Sequence, residues 1–403
     1  VLSVDDYLAR VLDSVAPLPP TQVPLTASHG CVLAEDVAAP WPLPSFDNSS
    51  MDGYAIRASD VASATESAPV SLTVIDDVPA GSRATQEVRV GTAIRIMTGA
   101  PMPGGADAVV PVERTDAGTE VVRISTTVEP GACIRRAGED VVAGETVMRT
   151  GTLIESRQIA ILAAVGSGQV WVHPRPRVAV ISTGSELVEP GTPLSHGLIS
   201  DSNSYLLVAA CREAGADAYR VGPVVDDPAD FLAAIEEQLH RCDLILTSGG
   251  VSMGAYDTVK AVLSELGSVD FMKVAMNPGM PQGHGHVGEE RLPIITLPGN
   301  PVSSYISFEN FVRPALQRMR GLTDLHRPSV RARCSVELSS PAGKRQFARA
   351  VLLPSGEVAP VGSGQGSHVL GGLASANALI VVPEDVTVVP AGAEVEVIDL
   401  RGR

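Results

Sequence analysis

Aromatic side chains are scarce in this chain. They make up 3% of its 403 residues, so its cores must be mainly aliphatic, and stacking platforms for single-stranded nucleic acid are not expected. Basic residues are outnumbered too. The formal net charge is −16, and so acidic a surface repels phosphate backbones, which argues against nucleic acid as a partner. An anionic small ligand stays open if a local device receives it: helix N-termini, backbone N–H groups, placed Lys or Arg, or a divalent cation. The five cysteines (Cys31, Cys133, Cys211, Cys242 and Cys334) are dispersed and form no C-x-x-C. That pattern suggests reduced thiols in a cytoplasmic protein, not a disulfide framework. No apolar run approaches the roughly 20 residues of a membrane span, and "VLSVDDYLARVL" has no signal-peptide pattern. No G-x-S-x-G elbow and no H-E-x-x-H is present, so ordinary hydrolase readings have no handle.

What is present is globular. Apolar residues are 44% and charged residues 19%, enough for sizeable cores, and the length predicts two to four compact units. Residues 1–15 read as an amphipathic helix with Leu2, Tyr7, Leu8, Val11 and Leu12 on one side. From about 41 to 140, short alternating segments such as "VSLTVIDDV" between Gly/Pro turns have small-barrel or sandwich texture. Residues 141–173 add a strand, a helix near 155–166 and "VWVH", and "HPRPR" at 173–177 reads as a linker. Beyond it, strands ("VAVIS", "YRVGPVV", "LILT", "VDFMKVA", "PIITL") alternate with helices near 203–214, 228–241, 257–266 and 302–319. That alternation predicts a doubly wound parallel sheet. Residues 325–403 return to β texture. The fold class expected is multidomain α/β plus β.

Three strand ends in the α/β region carry unusual turns: "ISTGSELVEPG" (181–191), "LTSGGVSMGAYD" (246–257) and "TLPGNPVSS" (296–304). Ligands of open parallel sheets bind beyond the carboxyl ends of the strands, so three such turns converge on one crevice. Gly249 and Gly250 let backbone N–H groups meet an anion, and Ser248 and Ser252 add hydroxyls. Pro298 and Pro301 stiffen a turn around Gly299 and Asn300. The "SGG" turn lacks the Gly-Lys-Thr of a triphosphate loop. Glu186, Asp201, Asp226 and Asp257 all fall at or after strand ends. Carboxylates facing an anion call for a divalent cation between them, and Mg²⁺ suits oxygen ligands and phosphates. For Asp257 an N-cap role is a rival, and for Asp226 a helix-start role is equally open. In the N-terminal half, "PSFDNSSMDGYAIR", "RIMTGAPMPGGADAVVP" and "IRRAGEDV" read as polar loops, with Arg135 and Arg136 able to serve a phosphate. "GHGH" (283–286) reads as a flexible, solvated loop.

Together with "DSNSYLL" and "GQGSHVLGGLASANAL", these motifs resemble, over nearly the whole chain, the molybdopterin molybdenumtransferase family of the MoeA and gephyrin E-domain type. The resemblance implies four parts: a segmented dimerisation domain (1–40 and 141–175), an inserted β-rich domain (41–140), an α/β molybdopterin-binding domain (176–324) and a C-terminal β-barrel (325–403). It implies a homodimer whose active site joins the α/β domain of one subunit to the inserted domain of the other. The reaction implied consumes adenylylated molybdopterin and molybdate, with Mg²⁺, and releases AMP. A contact with the adenylyltransferase of the preceding step is the further partner implied. By motif, the catalytic positions would be Asp52, Thr98, Glu186, Asp226 and Asp257, with Glu186, Asp226 and Asp257 on the metal. Binding would fall to Arg135, Asp140, Ser248, Gly249, Gly250, Lys273, Pro298, Gly299, Asn300, Pro301 and Ser367. Many relatives carry further lysines where this chain has Asn277 and Met280. Two other readings compete: a non-catalytic scaffold of the gephyrin kind, and a molybdopterin adenylyltransferase.

Overall fold

Near-continuous burial along three short strands sets up the central sheet. In Arg177–Thr183, Leu244–Ser248 and Leu292–Leu297, Val178, Val180, Leu244, Leu246, Ile295 and Leu297 enter one apolar cluster. Their neighbours Ala179, Ile181, Ile245 and Ile294 enter another. A strand buried on both faces needs helices on both sides. Asn203–Glu213 and Pro301–Ser307 supply one layer; Pro228–Gln238 and Thr258–Leu266 supply the other. These are features of a computed structural model that describes residues 1–250, 258–362 and 365–402.

The sheet has six strands, in the order Asp217–Val224, Arg177–Thr183, Leu244–Ser248, Leu292–Leu297, Pro281–Val287, Gly267–Lys273. The first four are parallel and the last two antiparallel. The expectation of a purely parallel sheet is corrected here. Its source is Pro281–Val287, where "GHGH" is a strand and not a solvated loop. Glycine alternation hid that strand. Gly283 and Gly285 face Thr296, Phe271 and the Ser268 carbonyl so closely that a Cβ would lie 2.3 Å or less from its nearest neighbour. His284 is buried there against the edge of the Tyr7 ring. Tyr7 lies on the first helix, Val4–Asp13, which packs Tyr7 and Val11 into the same cluster as Phe311.

The long helix expected over 302–319 is interrupted by a π-helical turn, Phe308–Val312, between Pro301–Ser307 and Arg313–Met319. Glu309 on that turn is ion-paired with Arg327 at 2.7 Å, both side chains almost fully buried. The C-terminal region closes a β-barrel. Arg345–Leu352 pairs with Glu357–Pro360 on one side and Ala378–Val382 on the other, and Ser329–Cys334 and Glu394–Asp399 complete the ring.

By compactness the chain divides into two units. One comprises Val1–Ala34, Gly151–Ile154 and Val170–Arg403; the other Glu35–Thr150 and Glu155–Gln169. The second unit holds a five-stranded sheet, in the order Ala108–Pro111, Gly53–Ile56, Thr92–Ile96, Val70–Val78, Val121–Ile124, with an aliphatic cluster on each face. Among the described residues no helix is long and apolar enough to cross a membrane.

Candidate active site

The chain order of the four parallel strands creates a crevice. The first strand, Arg177–Thr183, lies between the second, Asp217–Val224, and the third, Leu244–Ser248. Successive crossovers, from the first strand to the second and from the second to the third, therefore run in opposite directions across the sheet, and the loops beyond the ends of the first and third strands splay apart. Gly249 and Gly250 sit there with φ of 102° and 67°. A Cβ on Gly249 would lie 2.6 Å from the Thr183 carbonyl oxygen, and one on Gly250 2.1 Å from Val259. Only glycine fits both the dihedral and the space. Asp257 lies outside the described residues, as does Ser252.

Two loops that carry carboxylates are tied to each other through Ser185 and Asp226. The Asp226 amide donates to Ser185 Oγ at 3.1 Å, and the Ser185 amide donates to the Asp226 carboxylate at 3.4 Å. Glu186 follows Ser185 directly and is exposed, as is Asp226. The neighbouring Asp227 caps the next helix, accepting from the Ala229 and Asp230 amides. The helix-start role open for Asp226 therefore belongs to Asp227. Asp201 does not join these acids. It is fully buried, accepts from the Ser204 amide at 3.1 Å and pairs with Arg220 at 3.3 Å. Arg220 also binds Glu189 at 2.8 Å and stacks 3.8 Å from the Tyr205 ring centre. Arg220 and then Tyr205 hold the Glu189 carboxyl below its usual range.

Pro298, Gly299 and Asn300 line a cavity of about 570 Å³ with Lys273, Phe271 and Lys260. Phe271 and Lys273 are two apart on the edge strand and so share a face, and Lys260 Nζ stands 5.6 Å from the Phe271 ring centre. The residues read from the sequence include Lys273 but not Lys260 or Phe271. Lys260 lies in the first turn of Thr258–Leu266, and only the pairing of that helix with the edge strand brings it here. Ser367 arrives from the barrel: Asn300 Nδ2 donates to its Oγ at 3.0 Å and the Val302 amide to its carbonyl at 3.2 Å. The Ser248 hydroxyl, expected to face a ligand, is buried instead among Asn203, Pro298 and Ser304.

In the second unit, Asp52 and Thr98 touch. The Thr98 amide and hydroxyl donate to Asp52 Oδ1 at 2.7 and 2.9 Å. Gly53 is required beside them, because a Cβ would lie 2.0 Å from the Val110 carbonyl oxygen. Of the two arginines, Arg136 is paired with Asp47 at 2.5 Å, and Arg135 is exposed on the strand Ile134–Arg135. Asp140 is exposed, its amide bonded to the Leu43 carbonyl. Among the described residues, no group of three His, Cys, Asp or Glu side chains is placed to hold a metal ion.

This arrangement meets known proteins along its whole length. Residues 2–166 match the MoeA N-terminal region (domain I and II), 179–318 a probable molybdopterin binding domain, and 331–400 the MoeA C-terminal region (domain IV). Molybdopterin molybdenumtransferase 2 of Mycobacterium tuberculosis is 49% identical over 405 residues, covering 99% of each chain. The chain belongs to the molybdopterin molybdenumtransferase family. It is thereby a transferase of molybdenum cofactor biosynthesis. The molybdopterin molybdenumtransferase of Nostoc sp. is 38% identical, over 94% of this chain and 88% of its own. The crystal structure of the molybdopterin biosynthesis MoeA protein from Pyrococcus horikoshii superposes with a TM-score of 0.84, at 32% identity and 100% coverage of both chains. Family membership agrees with the expected fold class: an α/β domain, a β-rich region and a closed C-terminal barrel.

Proposed function

We propose that the protein inserts molybdenum into adenylylated molybdopterin, taking molybdate and releasing AMP. The observation that carries this reading is the convergence of four loops at the carboxyl edge of the parallel sheet: the acidic pair after its first two strands, the Gly249–Gly250 turn, and the Pro298–Pro301 turn braced by Ser367. The Gly250, Gly299 and Asn300 amides receive the pterin phosphate, whereas the Gly249 amide is bonded to the Leu297 carbonyl and, with Ser248, holds the first turn in place. Lys273 and Lys260 supply positive charge on the cavity wall and so offset the absence of lysine at Asn277 and Met280. Phe271 gives the flat pterin an apolar face.

The Glu186 and Asp226 carboxylates suit Mg²⁺, which prefers oxygen donors and binds through one or two carboxylates plus substrate phosphates. Asp257 is the third carboxylate proposed for it. Held by these carboxylates, Mg²⁺ would supply Lewis-acid charge neutralisation at the substrate's phosphate oxygens. Thr98 fixes the Asp52 carboxylate in ionised form, as an acceptor of hydrogen bonds from the substrate. Arg135 and Asp140 complete the binding set. In this reading the protein is a cytoplasmic homodimer of four-part subunits, with domains 1–40 plus 141–175, 41–140, 176–324 and 325–403. Asp52, Thr98, Arg135 and Asp140 then act on the partner's crevice, and the adenylyltransferase of the preceding step delivers the substrate.

Incubation with adenylylated molybdopterin, Mg²⁺ and molybdate is expected to yield AMP and metal-loaded pterin in equal amounts. No AMP would sink the reading. AMP transfer from ATP to molybdopterin would instead favour the adenylyltransferase.

A further inference from the structure

The two glycine turns of the crevice are joined by one buried amide. Asn203, the first residue of Asn203–Glu213, is 9% exposed. Its Nδ2 donates to Ser248 Oγ at 2.7 Å and to the Gly299 carbonyl at 2.6 Å. Ser248 Oγ in turn lies 3.4 Å from the Pro298 carbonyl and 3.3 Å from Ser304 Oγ. The two protons of one planar NH₂ thus reach the end of the third parallel strand and the turn after the fourth. The backbone bearing Asn203 is itself anchored. Asp201 accepts from the Ser204 amide, and Arg220 donates to Ser204 Oγ at 2.6 Å and to Asp201 at 3.3 Å.

We infer that Asn203 is a positioning residue of this site, setting the spacing between the 248–250 turn and the 298–301 turn. The inference rests on the reading of the crevice as the pterin site. The chemistry requires a donor. The Gly299 carbonyl only accepts, so a carboxylate of the same shape at 203 would set oxygen against oxygen. A buried carbonyl deprived of its donor pulls its turn toward another partner. Turns carried by strand ends are narrow in their tolerance, because ligand N–H contacts weaken steeply with distance and angle.

The test uses the full-length protein with Asn203→Asp, which keeps the shape and removes the donor, and Asn203→Ala. Molybdopterin binding is measured by titration calorimetry. KM and kcat are measured with adenylylated molybdopterin, and amide exchange of Gly299, Asn300 and Val302 is followed without ligand. Both variants are expected to weaken molybdopterin binding and raise KM by about ten-fold, within the net range for the two hydrogen bonds that Nδ2 donates. kcat at saturation should change less, and exchange at Gly299, Asn300 and Val302 should quicken by about the same factor. Should Asn203→Ala fail to fold, Asn203→Asp decides. Wild-type KM and wild-type exchange in a folded variant overturn the inference, as does a fall in thermal stability with KM unmoved. If the wild-type protein binds no molybdopterin, the pterin reading fails, and the exchange data alone then judge the spacing role of Asn203.

Discussion

Asp52 Oδ1 accepts two hydrogen bonds from Thr98, one from its amide at 2.7 Å and one from its hydroxyl at 2.9 Å. The amide, and then the hydroxyl, hold the Asp52 carboxyl below the usual carboxylate range. Because the folded value is depressed, the stabilisation is present above the unfolded value of about 3.9 and is lost as pH falls through the folded one. A carboxyl-carbon NMR titration should place Asp52 below that value. Thr98→Val removes only the hydroxyl and should raise the titration part of the way; an unmoved curve refutes the pairing.

The adjacent acids Asp226 and Asp227 separate by role. Asp227 caps Pro228–Gln238 through the Ala229 and Asp230 amides. Asp227→Ala is therefore expected to cost about 1 kcal/mol of stability and leave turnover intact. Asp226→Asn should do the reverse, losing turnover with an unchanged unfolding midpoint. Denaturant titrations paired with AMP release distinguish the two, and the opposite pattern would reassign them.

Glu309 and Arg327 form an almost fully buried ion pair at 2.7 Å. Glu309 also moderates the crowding of Arg327 against Arg313, whose guanidinium is held below its ordinary value first by burial and then by Arg327. Glu309→Ala leaves two buried cations together and is expected to cost about 3–5 kcal/mol. A shift in the denaturation midpoint worth less than about 1 kcal/mol would show that water reaches the pair.

His284 is buried against Tyr7, and burial holds its imidazole below the ordinary value, with His286 and Arg10 adding to that and Asp270 opposing it. Burial also lowers His286, against its hydrogen bond to the Ser14 carbonyl. For these depressed values, stability is full above the unfolded value of about 6.5 and falls as pH drops toward the folded one. The unfolding midpoint of the wild type should fall from pH 7 to pH 5 more steeply than that of His284→Phe. Parallel curves would remove His284 from the acid limb.

Much of the architecture is legible in the sequence because local rules agree along it. Residues 178–248 alternate apolar strands with helices of ordinary length, and the glycine and proline turns fall where those strands stop. The strand Pro281–Val287 was not legible. Its glycines face close neighbours, so it carries no apolar alternation, and its two histidines suggest solvent. Site residues divide the same way. Gly249, Gly250, Pro298 and Pro301 stand out through their own backbone demands, whereas Asn203, Lys260 and Phe271 matter through neighbours far away in the chain.

The sequence by itself determined which strand ends would carry turns and which carboxylates would follow them, because turn and cap chemistry act over three or four residues. Only the tertiary structure decided how those acids are used. Asp201 is taken by Arg220 and Ser204, Asp227 by its helix, and Asp226 exchanges hydrogen bonds with Ser185 on the neighbouring loop. The strand order that brings 183, 226, 249 and 299 to one edge is a property of long-range pairing, and no local rule encodes it.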